Sequence, residues 1–309
     1  MDPAVFDHAL ILTGPTASGK SAAGLIVAER LGAEIVSMDS MALYRGMDIG
    51  TAKPSPAART RVPHHLVDVL DPWESATLAW WLDRAAACCR EIAARGRRVL
   101  FIGGTPLYLK ALLRGLFEGP PADPALRRRL EEQPGPALHA RLTAADPAAA
   151  NRIHPNDVRR LVRALEVLEL TGRPISAWQQ QFDRPRPRPR APVWLDLPRP
   201  ALYDRINRRV EQMMAEGLLD EVRALAKLPR PLSRAARQAL GYKELLDHLA
   251  GREPLAEAVT RIQARSRNFA KHQLTWFRGL AECRPLPIDP DQPAEQVAER
   301  VLAAWGWPA

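Results

Sequence analysis

Gly14-Pro15-Thr16-Ala17-Ser18-Gly19-Lys20-Ser21 is the stretch that decides the fold of this 309-residue chain. It fits the phosphate-binding P-loop pattern G-x-x-x-x-G-K-[ST]. It stands between an apolar, strand-like run (Ala9 to Leu12) and a helical pattern (Ala22 to Leu31), the context that gives the pattern its meaning. In such a loop the backbone N–H groups and the helix N-terminus cradle phosphate oxygens. Lys20 adds a point charge and Ser21 offers a hydroxyl to a Mg²⁺ ion. The loop implies a polyphosphate ligand and leaves open whether a phosphoryl group moves.

Working outward, Leu10-Ile11-Leu12 reads as the first strand and Ala33 to Met38 as the second, ending at Asp39. Leu66-Val67-Asp68-Val69 is a candidate short strand, Thr77 to Ala94 a helix ended by Gly96, and Arg98 to Ile102 a further strand closed by Gly103-Gly104-Thr105. Continuous apolar runs alternating with helices predict an α/β, P-loop NTPase-like parallel sheet with helices on both faces. Ligands of such sheets lie beyond the carboxyl ends of the strands, so the P-loop, Asp39 and Thr105 are expected to converge.

The core pattern holds through residues 1–117. Residues 118–190 read as a helical insertion, in which Val158 to Leu170 puts Val158, Leu161, Val162, Leu165 and Leu168 on one face and Arg159, Arg160 and Arg163 on the other. The run Arg184-Pro185-Arg186-Pro187-Arg188-Pro189-Arg190 reads as an extended linker that ends the insertion. Residues 191–309 return to the core with a strand at Val193 to Leu197. Helices follow over Ala201 to Glu216, Leu218 to Leu228, Ala235 to Leu249 and Leu255 to Leu280, then a Pro-rich tail from Arg284 and a short final helix.

With 44 Lys and Arg against 35 Asp and Glu, the net charge of +9 suits a polyanionic partner, although the abundance of Arg, Ala and Pro together also fits GC-rich coding sequence. Cys88, Cys89 and Cys283 form no C-x-x-C pair, and the adjacent pair fits packing. No apolar run reaches the ~18–20 residues of a membrane span. Met1-Asp2-Pro3-Ala4 shows no signal-peptide pattern, so a cytoplasmic protein without membrane contact is expected.

The late strand Val99 to Ile102 lacks the terminal carboxylate that holds Mg²⁺ in P-loop ATPases, and the carboxylate stands after strand two instead, at Asp39. There it would face a substrate as a general base, or else cap a turn. Thr105 is either a helix N-cap or a hydroxyl contacting the same substrate atom as Asp39. His64-His65 with Asp68 and Asp71 has no standard metal spacing and fits a structural role. A second basic face comprises Arg265, Asn268, Lys271 and His272, with Phe269, Trp276 and Phe277 on the other side of the helix. Solvated faces and nucleic-acid contact both explain these charges.

Asp39-Ser40-Met41-Ala42-Leu43-Tyr44 with Arg45 to Pro54 carries a specific resemblance, which the less specific P-loop and Pro63-His64-His65-Leu66 accompany. Gly103-Gly104-Thr105, His154-Pro155-Asn156-Asp157, Gly241-Tyr242-Lys243-Glu244 and Lys271-His272-Gln273-Leu274-Thr275-Trp276 extend it over nearly the whole chain. Together they resemble the bacterial tRNA dimethylallyltransferase family. The resemblance implies transfer of a dimethylallyl group from dimethylallyl diphosphate to N6 of the adenosine 3′ of the anticodon, with Mg²⁺ assisting. It makes Gly14, Pro15, Thr16, Ala17, Ser18, Gly19, Lys20 and Ser21 the diphosphate site, Ser21 the metal contact, and Asp39 and Thr105 catalytic. It assigns contact with the tRNA anticodon stem-loop to Asp39, Ser40, Met41, Ala42, Thr105, Arg127, Arg159, Arg160, Leu161, Val162, Arg163, Asn268, Lys271, His272 and Gln273. The insertion would grip the stem-loop from one side and the basic C-terminal helix from the other, and a monomer is expected. His272 stands where arginine is common, and Gln238, beside Arg237, stands where some members carry an arginine near the diphosphate. The chain also lacks the Cys/His set of the zinc finger that eukaryotic members often add. A small-molecule kinase, a transferase acting on a free adenylate and an RNA-binding module with a vestigial nucleotide site are the competing readings; the kinase predicts ATP consumption and the module no loss on Asp39→Ala.

Overall fold

A computed structural model of the chain describes residues 3–117, 119–179 and 185–307. Six parallel strands form one sheet in the order β3-β2-β4-β1-β5-β6. They are β1 Leu10–Thr13, β2 Ala33–Ser37, β3 His64–His65, β4 Arg98–Gly103, β5 Val193–Asp196 and β6 Arg284–Pro287. Every residue of β1 and β2 is buried, as expected of interior parallel strands whose side chains are covered above and below. The helix Lys20–Leu31 joins β1 to β2 in one direction across the sheet, and Leu78–Ala94 precedes the return to β4 in the other. Right-handed crossovers running in opposite directions put these helices on opposite faces. Leu78–Ala94 starts where the Thr77 hydroxyl accepts from the Trp80 N–H at 3.1 Å.

The expected strand at Leu66–Val69 is displaced. Pairing with β2 occurs at His64 and His65, and Leu66 and Asp68 adopt positive φ of 59° and 56°, which no strand accommodates. The expected helix Ala235–Leu249 is two pieces, Arg234–Arg237 and Tyr242–Leu249, broken at Gly241 with φ 88°. The Pro-rich tail contains the edge strand β6, aligned with β5 from Val193↔Arg284 to Asp196↔Pro287. Proline is compatible with an edge, where one side of the strand has no partner to bond. Arg186, Arg188 and Arg190 do more than punctuate a linker: Arg186 pairs with Asp7, Arg188 donates to the Phe6 and Ala9 carbonyls, and Arg190 donates to the Trp305 carbonyl. Arg184 of the same run lies outside the described residues.

Arg114–Pro185 forms a separate compact unit. Its helices Pro124–Glu131, Gly135–Ala145 and Val158–Thr171 bury Leu126, Leu130, Leu138, Leu142, Leu161 and Leu165 together. Beneath this packing lies Glu166, whose fully buried carboxylate accepts two bonds from Arg127 (2.8 and 2.9 Å), one from Arg163 (2.6 Å) and the Asp123 N–H (2.8 Å).

Candidate functional site

β2, β4 and β1 are neighbours in that order, and the three sequence-predicted elements follow their carboxyl ends side by side. The P-loop follows Thr13, Asp39 follows Ser37, and Thr105 follows Gly103. They line one cavity of about 840 Å³, together with Gly50–Pro54 and parts of the helices Arg199–Ala215, Tyr242–Leu249 and Leu255–Arg278. This is within the size range of sites for small organic ligands, with an apolar lining interrupted by a few polar groups.

Of the loop residues, Thr16, Lys20 and Ser21 face the cavity. The helix starts at Lys20, immediately after Gly19, which puts its free N–H groups at the cradle. Ser18 is buried, and its hydroxyl finds no hydrogen-bond partner among the described residues. Lys20 Nζ donates to the Pro15 carbonyl at 3.1 Å. Burial, reinforced by the Arg209 guanidinium and opposed by the Asp39 carboxylate, pushes the Lys20 ammonium down to about 8. Burial likewise depresses Arg209, against the pull of Asp39. Two desolvated cations facing a single carboxylate leave a positive surplus, the electrostatics of an anion receptor.

Asp39 Oδ1 accepts from the Met41 N–H at 2.8 Å, the turn-capping bond anticipated as its alternative role. Only one of its oxygens is spent this way, and the side chain still lines the cavity. The Thr105 hydroxyl accepts from the Ser40 N–H at 3.2 Å rather than capping its own helix, while the Thr105 N–H donates to the Met38 carbonyl at 3.2 Å. These bonds tie the segments after β2 and β4 together beside Asp39. Ser40, Met41 and Ala42 also line the cavity.

Gln273 plays a different part from the RNA contact expected of it. It is 2 % exposed, its Oε1 accepts from the Thr16 N–H at 2.9 Å and its Nε2 donates to the Gly104 carbonyl at 2.6 Å. One amide thus fastens the P-loop to the end of β4. Gly104 must be glycine for this contact, since a Cβ there would sit 2.5 Å from Gln273 Nε2. Asn268 and His272 line the cavity, and Phe269, expected on the opposite face, lines it too and is 39 % exposed. Lys271 is exposed outside it.

In the helical unit, Leu161 and Val162 have 0 % and 2 % exposure, so their side chains belong to the core and not to an RNA-facing surface. Arg127 and Arg163 are spent on Glu166. Arg159 and Arg160 are exposed, the latter beside Asp157 at 3.3 Å. His65 bonds Glu34 at 2.7 Å, Asp68 pairs with Lys53 and Arg59, and Asp71 with Arg45, which accounts for most of the superficially metal-like cluster.

Arg209 is the cation the sequence reading missed. It sits in the stripe Ile206, Arg209, Val210, Met213, all of which line the cavity, and its Nη1 lies 3.5 Å from the Thr16 hydroxyl. An arginine inside an apolar stripe of period 3.6 is the signal that could have revealed it. Arg265, which heads the basic face expected from the sequence, lines the cavity and bonds the buried Glu244. Gln238 also lines it, whereas the neighbouring Arg237 does not.

Residues 42–280 match the family model described as IPP transferase. The chain is 45% identical over 319 aligned positions to the tRNA dimethylallyltransferase of Rhodopirellula baltica, covering 97% of this chain and 96% of that one. It is 48% identical over 278 to that of Geobacter metallireducens, covering 88% and 90%. Among solved structures, the full-length tRNA isopentenylpyrophosphate transferase of Bacillus halodurans superposes with a TM-score of 0.71 at 38% identity, covering 97% of each chain. A eukaryotic dimethylallyltransferase solved acting on tRNA shares the fold, with a TM-score of 0.79 at 24% identity, covering 97% of this chain and 80% of that one. With its P-loop, Asp39 and Thr105 drawn into one cavity and relatives matched along almost their whole length, this chain belongs to the IPP transferase family.

Proposed function

We propose that this protein transfers the dimethylallyl group of dimethylallyl diphosphate to N6 of the adenosine 3′ of the tRNA anticodon, releasing diphosphate. The observation that carries the proposal is the pairing, in one cavity, of a cationic phosphate cradle (Lys20, Arg209, Thr16) with a carboxylate at Asp39 and a largely apolar wall. The relatives' names supply the reaction. In the transfer, N6 attacks the allylic carbon, the carbon–oxygen bond to diphosphate breaks, and Asp39 accepts the N6 proton. Negative charge growing on the leaving diphosphate is met by Lys20, Arg209 and the backbone donors at the start of Lys20–Leu31. Thr105 holds Ser40 and so keeps the Asp39 segment in place.

Mg²⁺ would join this site as a companion of the diphosphate, offsetting its charge. The fit rests on the donor set: the Ser21 hydroxyl lines the cavity in the first turn of Lys20–Leu31, beside the phosphate cradle. That is what Mg²⁺ uses when substrate phosphates and water supply most of its ligands.

The target adenine must leave its stack to enter the cavity, at a cost of a few kcal/mol, less in a loop than in a duplex. Arg159 and Arg160 on the helical unit, and Asn268, Lys271 and His272 on Leu255–Arg278, are exposed and would take RNA phosphates or bases, Arg160 by leaving or sharing its partner Asp157. We take the enzyme to be a cytoplasmic monomer. Among the described residues, no helix is long and apolar enough to cross a membrane.

The test is prenylation of unmodified tRNA carrying adenosine beside the anticodon, read by mass spectrometry of the digested RNA. A dimethylallyl mass increment dependent on dimethylallyl diphosphate is expected. Its absence together with robust ATP turnover would overturn the proposal in favour of a kinase. Asp39→Ala should abolish transfer while tRNA binding survives; undiminished transfer would remove Asp39 as the base.

A further inference from the structure

The segment Asp48–Gly50 leads into Gly50–Pro54, which forms part of the cavity wall. Its three successive N–H groups converge on one side chain. Glu221, from the helix Leu218–Ala226, accepts from Asp48 at 2.9 Å and Ile49 at 2.7 Å on Oε2, and from Gly50 at 3.3 Å on Oε1. The same Oε1 accepts from the Tyr242 hydroxyl at 2.6 Å. Consecutive backbone donors of this kind make an anion-binding concavity, here filled by the protein's own carboxylate.

Tyr242 is fully buried and its ring edge packs against the same turn. A Cβ at Gly50 would stand 2.6 to 2.7 Å from the edge of its ring, so the contact requires glycine. Tyr242 and Leu218 both line the cavity, and Glu221 sits one helical turn beyond Leu218. Burial and the neighbouring carboxylate push the Tyr242 phenol well above its usual range, which keeps it a proton donor to Glu221. Lys53 anchors the far end of the turn through Asp48 at 2.7 Å and Asp68 at 2.5 Å. One carboxylate therefore sets two parts of the wall at once: the backbone of 48–50 and the ring of Tyr242. None of these groups is at the P-loop.

We propose that Glu221 is a positioning residue for the apolar part of the cavity, holding the Gly50–Pro54 wall and the Tyr242 ring in the arrangement that receives the branched five-carbon tail of the allylic diphosphate. The assignment rests on the proposed reaction. Its chemistry is specific to a carboxylate: Glu221→Gln keeps the shape but turns one of the two acceptor atoms into a donor facing N–H and O–H groups. Tyr242→Phe removes only the phenol's share.

The experiment compares calorimetric binding of inorganic diphosphate with that of dimethylallyl diphosphate for wild type, Glu221→Gln, Tyr242→Phe and the double variant, alongside KM for each substrate. Glu221→Gln is expected to weaken dimethylallyl diphosphate about tenfold, as loss of a hydrogen bond to a charged group does. Inorganic diphosphate and the KM for tRNA should stay unchanged. Tyr242→Phe should give a smaller loss of the same selectivity, and the double variant less than the product of the two. Equal weakening of both ligands, or of neither, would overturn the assignment. If Glu221→Gln fails to fold, Tyr242→Phe decides by the same ratio: a selective loss supports the proposal and an unchanged ratio overturns it. A wild-type protein that forms no prenylated tRNA would overturn the parent reaction and this assignment with it, a pattern distinct from an active wild type whose variants keep the wild-type ratio.

Discussion

Replacing Gln273 by methionine should loosen the phosphate cradle without touching a charged residue. The two side chains have similar length and volume, so the change isolates the two hydrogen bonds, Thr16 N–H to Oε1 at 2.9 Å and Nε2 to the Gly104 carbonyl at 2.6 Å. Loss of the partner leaves the Gly104 carbonyl unsatisfied in a buried position, while Thr16 borders the cavity and can regain water. A buried orphan costs ~1–3 kcal/mol, and a rehydrated group about 1 kcal/mol or less, which together give about 1–4 kcal/mol. Urea unfolding should show this as a lower midpoint at unchanged slope. Binding of inorganic diphosphate should weaken as well, because the Thr16 N–H is released from its fixed direction in the cradle. Affinity for tRNA should change little in the absence of the diphosphate ester. A stability loss under ~1 kcal/mol with undiminished diphosphate affinity would refute the view of Gln273 as a brace, since the orphaned Gly104 carbonyl alone should cost at least about 1 kcal/mol. A variant that instead lost tRNA affinity alone would restore the contact expected from the resemblance.

Three further outcomes follow from the charges. With Lys20 depressed to about 8, diphosphate affinity should fall as pH rises through 8; the unligated protein should meanwhile gain stability from this group between about 8 and its ordinary 10.5, because the unfolded chain binds the proton more tightly. Calorimetry and thermal melts across that range check the opposite slopes, and Lys20→Gln should flatten both. In the helical unit, burial raises the Glu166 carboxyl but the bonds from Arg127, Arg163 and the Asp123 N–H outweigh it, so its stabilisation is present above the ordinary carboxylate range and lost as pH falls below it. Glu166→Gln should cost about 3 kcal/mol in urea unfolding at neutral pH, the low end for breaking a buried ion cluster, because both arginines keep some solvent access. Binding of tRNA should weaken steeply with salt, and Arg159→Ala should reduce the slope of log K against log salt by about 1 if that side chain meets a phosphate.

The apolar runs of β1, β2, β4 and β5 are legible in the sequence because an interior parallel strand must be hydrophobic on both faces. The convergence of Asp39, Thr105 and the P-loop is legible for a topological reason, since all three follow strand ends. The two-residue β3 carries no such signal, and its position depends on the positive φ of Leu66 and Asp68, which side-chain pattern does not encode. Gly241 breaks a helix whose flanks are both strongly helical, so periodicity runs straight across it. Gln273 and Glu221 are polar residues on helices, and what distinguishes them is a partner far along the chain: Thr16 in one case, Asp48–Gly50 in the other. Basic helix faces were the least dependable guide. Arg127, Arg163, Arg186 and Arg188 all look available in one dimension, and each is bonded within its own unit in three.

The prolines of β6 have a consequence for how this protein behaves in company. Arg284 and Ile288 point their N–H groups at the Pro192 and Asp196 carbonyls of the neighbouring strand. In a strand the alternate residues point the other way, and at this edge those residues are Pro285 and Pro287. The outward side of the strand therefore presents no amide hydrogen at either position. A visiting strand from another molecule would find acceptors but nothing to accept from, and could not add itself to the sheet. With only two residues paired at the opposite edge, this open sheet is protected at both ends against growing into an aggregate.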